Sequence, residues 1–132
     1  MNTLLWIGQT FLAVIFLYSG ICKSILTKEA LVARGQTGVA GRQPSQIRFI
    51  GISEIIGSIG IILPWWTGIF PFLTPLAAAG FAAIMLLAAP IHYRLKEGRN
   101  VALNLFVLLI ALFVAWSRAR TLAFLPEFPG HP

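Results

Sequence analysis

Two apolar runs joined by a short turn decide the fold, and residues 49–90, which contain both, read FIGISEIIGSIGIILPWWTGIFPFLTPLAAAGFAAIMLLAAP. The runs cover residues 49–66 and 72–90, and Glu54 is the one charged residue between their ends. A helix needs about 20 residues to cross a bilayer, and each run is close to that length. Both are apolar on nearly every side rather than along one stripe. The stretch therefore predicts two transmembrane helices.

Two further runs, residues 4–22 and 101–117, contain no charged residue. The sequence thus predicts an all-α integral membrane four-helix bundle, made of two transmembrane hairpins in a single domain over residues 1–132. The first run could also be a cleaved signal peptide, but no basic residue precedes Leu4, which favours a retained span.

The connections contain ordinary helix-ending signals. Residues 23–46 form a basic loop in which Ser24 to Ala33 is expected to make a short interfacial helix, stopped by Gly35. Pro64 is expected to end the second span and Pro90 to kink or close the third. Residues 118–132 are expected to form an irregular tail.

The composition agrees with a membrane protein and excludes several other classes. The chain is 58% hydrophobic and 11% charged, with a mean hydropathy of +0.84, whereas soluble domains carry about 25% charged residues. This apolar content excludes a disordered chain. The single cysteine, Cys22, excludes a disulfide scaffold and an internal CxxC redox pair.

The net charge of +6 comes from loop residues that flank the spans. Such residues orient a membrane protein, so the charge does not indicate nucleic-acid binding. In two hairpins the first and third loops lie on one side, which the positive-inside rule makes cytoplasmic, with both termini outside. The sequence therefore predicts an inner (cytoplasmic) membrane protein. Eight of the ten basic residues lie in or beside these two loops: Lys23, Lys28, Arg34, Arg42, Arg48, Arg94, Lys96 and Arg99.

Glu54 is the energetically costly residue of the second span. It lies six residues beyond Arg48, roughly 9 Å into the helix, where a carboxylate must be protonated, paired or hydrated. Gly51, Gly57 and Ser58 lie near it at helical spacing, which favours close packing of that face. Two interpretations stay open: Glu54 fixes the position of a helix through an ion pair, or it handles protons or binds a polar head group.

Topology predicts the partners of Glu54, because helix ends on the basic side share its half of the membrane. We expect a polar or ligand-binding cluster of Lys23, Glu54, His92 and Asn104, with Arg94 as a substitute cation. No catalytic residue can be assigned. The spans contain no metal site and no pair of histidines for haem, so no cofactor is predicted, although a quinone or lipid head group could bind.

The sequence also resembles the DoxX-like family of small four-helix membrane proteins over residues 11–118. The resemblance implies the four-helix fold, and it makes Glu54 and His92 characteristic positions to which no catalytic role is assigned. The family takes its name from a small subunit of an archaeal quinone-linked oxidoreductase, and the resemblance also implies an association with membrane redox or stress complexes. The matching residues are Phe16, Ser19, Gly20, Lys23, Glu54, Gly57, Gly60, Leu63, Pro64, Pro71, Leu73, Thr74, Pro75, Leu76, Ala77, Ala78, His92 and Glu97.

Three functions follow as hypotheses. The first is an accessory subunit of a quinone-linked membrane redox system, which acts with an oxidoreductase partner rather than as a stand-alone enzyme. The second is a non-catalytic scaffold or assembly partner in the bilayer. Association of several copies of this chain into a homo-oligomer is left open. The third is a small proton-coupled transporter, which Lys23 and Arg94 disfavour because either could neutralise Glu54.

Overall fold

The computed structural model describes residues 2–124, and four long apolar helices in it are able to cross a membrane. The predicted all-α fold of four such helices is confirmed. A short helix and a 3-10 turn lie in the first loop. The elements are α1 (Asn2–Ile25), α2 (Lys28–Ala33), the 3-10 turn (Thr37–Val39), α3 (Pro44–Thr67), α4 (Leu73–Arg94) and α5 (Gly98–Phe124).

The helices extend beyond the apolar runs, which corrects three expectations. Pro64 does not end the second span, because α3 continues to Thr67. Pro90 does not close the third, because α4 continues to Arg94, and the alternative of a kink at Pro90 stays a prediction. Residues 118–124 are the last two turns of α5 rather than an irregular tail. The rest of the predicted tail, residues 125–132, lies outside the described residues.

A side chain from α4 accommodates the internal proline of α3. Proline has no N–H, so Pro64 leaves the carbonyl of Gly60 without its usual helical donor. The hydroxyl of Thr74 donates to that carbonyl at 3.2 Å. The helix then ends at Gly68, whose φ of 76° is the left-handed conformation that glycine adopts without strain.

The long helices associate mainly as two pairs, α1 with α3 and α4 with α5. In the first pair the backbones come close, since a Cβ added to Gly20 would lie 2.6 Å from the carbonyl oxygen of Gly51. The pairs meet in the centre of the bundle, where the rings of Phe16 and Phe81 stack at 3.9 Å. The outer surface is apolar and suits contact with lipid.

The first loop folds back against the bundle. The hydroxyl of Thr27 caps α2, and Gly35 ends it with a φ of 91°. A small apolar cluster then holds the loop against the ends of α1 and α3. Its buried members are Cys22, Leu31, Val39 and Ile47. A short helix thus forms within the predicted segment, and the loop covers the end of the bundle where the basic residues lie, hereafter the basic end.

Candidate functional site

Lys23 and Glu54 form an ion pair between α1 and α3. Nζ of Lys23 lies 2.7 Å from Oε1 of Glu54 and also donates to the hydroxyl of Ser19 at 3.0 Å. The close packing at Gly20 and Gly51 brings the two helices near enough for this contact. The structure therefore joins two of the residues that topology places in the polar cluster.

The environments of the two charges differ. The side chain of Glu54 is 1% exposed and that of Lys23 is 14% exposed. Oε2 of Glu54 is buried and has no hydrogen-bond partner among residues 2–124. The cation therefore lies between the buried carboxylate and the accessible space beyond it.

His92 pairs with Glu97 and not with Glu54. Nδ1 of His92 lies 3.0 Å from Oε1 of Glu97, which follows it across the turn between α4 and α5. Thr37 donates to both carboxylate oxygens, at 2.7 and 2.9 Å, and Asn100 donates to Oε2 at 3.3 Å. Glu97 therefore ties the 3-10 turn of the first loop to the second helix pair.

These hydrogen bonds favour the ionised form of the Glu97 carboxyl. The bonds from His92, then Thr37, hold the pKa of Glu97 below its usual value, with a smaller contribution from Asn100. Glu97 is accordingly a carboxylate at neutral pH. A carboxylate only accepts hydrogen bonds, so the bond from His92 places a proton on Nδ1, while Nε2 lies on the side of the ring next to Gly38 of the 3-10 turn.

A cavity of about 750 Å³ lies at the basic end between the two helix pairs, beneath the first loop. Such a volume is typical of small-molecule sites. Its wall combines polar side chains with apolar ones such as Ile15, Phe49, Met85 and Leu103. The polar side chains that line it include Lys23, Gln36, Arg42, His92, Asn100 and Asn104.

The cavity brings together most of the predicted site residues, although they do not form one hydrogen-bonded cluster. Lys23, His92 and Asn104 line it, whereas Glu54 lies behind Lys23 and outside the lining. Nδ2 of Asn104 is buried and has no hydrogen-bond partner among the described residues. Arg94 is exposed at the end of α4 and lines a separate recess, so it does not act as the cation for Glu54.

Comparison with known proteins settles the family. The model of the DoxX-like family matches residues 7–114, which is most of the chain. The protein belongs to the DoxX-like family. This confirms the resemblance seen in the sequence, and it establishes a multi-pass membrane protein of that family. No curated protein and no solved structure matches the chain.

A second polar cluster of this DoxX-like protein lies at the opposite end of the bundle, around Arg118. The residue is 2% exposed, and its Nε donates to Oε1 of Gln9 at 2.7 Å. Nη1 donates to Asn2 at 2.9 Å, and the guanidinium carbon lies 4.3 Å from the ring centre of Trp65. Gln9 in turn donates to the carbonyl of Ile61 at 2.7 Å. Arg118 and Gln9 thus join α1, α3 and α5.

Sequence reasoning missed Arg118, Gln9 and Thr37. The sequence did indicate Gln9, because an amide side chain inside an otherwise apolar span needs a buried hydrogen-bond partner. The sequence hardly indicated Arg118, since an arginine after an apolar run is an ordinary flanking charge. Thr37 lies in an irregular loop, so no periodic pattern indicated its contact with Glu97.

Proposed function

We propose that this DoxX-like protein is an accessory subunit of a quinone-linked membrane redox system. In this proposal the cavity at the basic end binds a quinone-type ligand, whose ring carries hydrogen-bond acceptors and whose tail is apolar. The redox centre belongs to an oxidoreductase partner, so the protein alone is not an enzyme. The link to quinones comes from the family resemblance, and the chemistry of the cavity supports it.

The observation that carries the proposal is the unpaired amide of Asn104. A buried N–H donor without a partner is unfavourable by about 1–3 kcal/mol, and Nδ2 of Asn104, a residue of the cavity wall, is buried with no hydrogen-bond partner among the described residues. A quinone carbonyl is an acceptor that could satisfy it. Lys23 offers a second donor, because only two of its three N–H bonds are directed to Glu54 and Ser19.

The shape and lining of the cavity support the same ligand class. Polar side chains from α1, α4 and α5 line it, and its aliphatic and aromatic side chains suit a ring and the first part of an isoprenoid tail. A purely structural ion pair would need no such space. A proton-coupled exporter is less well supported, because Glu54 is paired with Lys23 and does not line the cavity.

The proposal includes an orientation in the inner (cytoplasmic) membrane. Eight of the ten basic residues flank the basic end, which favours a cytoplasmic position for the cavity and an external position for both termini. The ligand would then enter from the cytoplasmic leaflet. A C-terminal reporter that is active only outside the cytoplasm is the expected result, and a reporter active only inside would contradict the orientation.

Binding to the purified full-length protein tests the function. We expect a 2-methyl-1,4-naphthoquinone with a short saturated tail to raise the melting temperature in mild detergent. Asn104→Leu should weaken binding about tenfold, the equivalent of about one hydrogen bond. Asn2→Leu, which removes an amide at the opposite end, is the matched control. If no quinone stabilises the wild-type protein, the ligand assignment is wrong.

Copurification tests the accessory role. Cross-linking in the native membrane, followed by gentle detergent extraction and mass spectrometry, should recover a membrane oxidoreductase together with the protein. If only cross-links between copies of this chain are recovered, the subunit role is contradicted and quinone binding is the part of the proposal that remains.

A further inference from the structure

The charges around the cavity are arranged asymmetrically. The cationic side chains Lys23 and Arg42 line it, whereas no glutamate of residues 2–124 does. Both nearby carboxylates are directed to protein donors: Glu54 lies behind Lys23, and Glu97 is held by His92, Thr37 and Asn100. Glu54 and Glu97 therefore lie outside the cavity lining, whereas their partners Lys23 and His92 belong to it.

The charged hydrogen-bonding groups show the same asymmetry. Lys23 and Arg42, the two cations in the described lining, can only donate. The amide side chains of the lining, such as Gln36, Asn100 and Asn104, can both donate and accept. An anionic head group therefore meets cationic donors and no charged acceptor among the described lining residues.

The surroundings reinforce this polarity. Within the described part of the chain, this half of the bundle contains eight basic residues and three glutamates, Glu29, Glu54 and Glu97. A cavity with apolar walls screens charge weakly, so a cation at its edge acts more strongly on a ligand than it would in water.

We infer that the cavity selects an anionic head group over a neutral head group of the same shape, with an apolar tail attached. This rests on the proposed function in so far as the cavity holds an amphipathic ligand, and it specifies the charge of that ligand. The same chemistry is shared by an ionised quinone or hydroquinone and by the phosphate of an anionic lipid. Arg42 is the specificity-determining residue, because Lys23 is already neutralised by Glu54.

A pair of ligands of similar shape, one neutral and one anionic, tests the inference. Both are 1,4-naphthoquinones with the same short saturated tail at position 3; one has a methyl group at position 2, and the other has a hydroxyl that is ionised at neutral pH. We expect the full-length protein in neutral detergent to bind the hydroxy compound about tenfold more tightly, as measured by calorimetry. Higher ionic strength should reduce this preference.

Two variants locate the effect. Arg42→Gln removes the cavity cation and should lower the affinity ratio of the hydroxy to the methyl compound several-fold. Arg34→Gln removes an exposed cation of the same loop that does not line the cavity, and it should keep the wild-type ratio. A ratio that falls equally in both variants would overturn the assignment to Arg42.

A lipid pair separates the inference from the proposed function. Short-chain phosphatidylglycerol and phosphatidylcholine differ in net charge and carry the same tails. Suppose that neither naphthoquinone binds, that phosphatidylglycerol binds more tightly than phosphatidylcholine, and that Arg42→Gln removes this difference. The inference then stands and the quinone link fails. Equal binding of both naphthoquinones would overturn the inference and leave the quinone link. Absence of a charge preference in both pairs would overturn it as well.

Discussion

The ion pair of Lys23 and Glu54 shows how a single buried charge constrains its surroundings. The pair itself is weak evidence for stability, because both groups lose hydration when they are buried. Removing one partner is different, since it leaves the other charge unpaired in an apolar interior. Oε2 of Glu54 already has no partner in the described part of the chain, so the carboxylate depends on Lys23.

Replacement of Lys23 should therefore cost more than replacement of both partners. We expect Lys23→Met to lower the free energy of unfolding by about 3 kcal/mol, and Lys23→Met with Glu54→Met to recover most of that loss. Denaturant titration in detergent measures both values. Arg94→Met, at an exposed cation, should change stability by less than about 0.5 kcal/mol. A double variant less stable than Lys23→Met would contradict this account.

The partner of Glu54 could be predicted from the sequence, but that of His92 could not. A membrane fixes the depth of each residue along its helix, and few cations share the depth of Glu54. The partner of His92 depends instead on a tight turn, in which Lys96 adopts a φ of 59° and brings Glu97 back toward the end of α4. Such local turn geometry leaves no periodic pattern in the sequence.

At the scale of the elements, the α1–α3 contact depends on two glycines. A Cβ on Gly51 would lie 2.8 Å from Cβ of Lys23 and 2.9 Å from the carbonyl oxygen of Gly20. One of these atoms is backbone, so relief of the contact requires the two helices to separate. Separation would also lengthen the bond between Lys23 and Glu54. The small residues near Glu54 indicated close packing in the sequence, although they did not say which helix would approach.

Gly51→Ala should therefore destabilise the bundle by about 1–3 kcal/mol, the usual range for overpacking. Gly80→Ala is the matched control within another span, because a Cβ there meets nothing within 4 Å. Alanine favours helix over glycine by about 1 kcal/mol, so this control should be neutral or slightly stabilising. Unfolding in detergent distinguishes the two variants. Equal stability of both would show that the helices can move apart without cost.

The whole molecule has two different ends. At the basic end the helix pairs leave a cavity that the first loop covers, and at the opposite end Arg118, Gln9 and Trp65 join three helices. The apolar run ends at residue 117, so the sequence predicted a tail from the point where the helix in fact continues. The buried face of α5 extends to Arg118, because its guanidinium donates to the Gln9 amide and lies over aromatic rings such as that of Trp65. Hydropathy does not reveal such a tertiary contact.

The two ends should respond independently to substitution. Gln9→Leu removes the acceptor of the Arg118 Nε–H and the donor to Ile61, and it should lower the free energy of unfolding by about 2–4 kcal/mol. Arg120→Leu, at an exposed residue two positions beyond Arg118, is the control and should have little effect. At a temperature where both variants remain folded, their affinity for the naphthoquinone should match the wild-type value, since neither residue lines the cavity. If Gln9→Leu weakens ligand binding while the protein stays folded, the two ends are coupled through the paired helices.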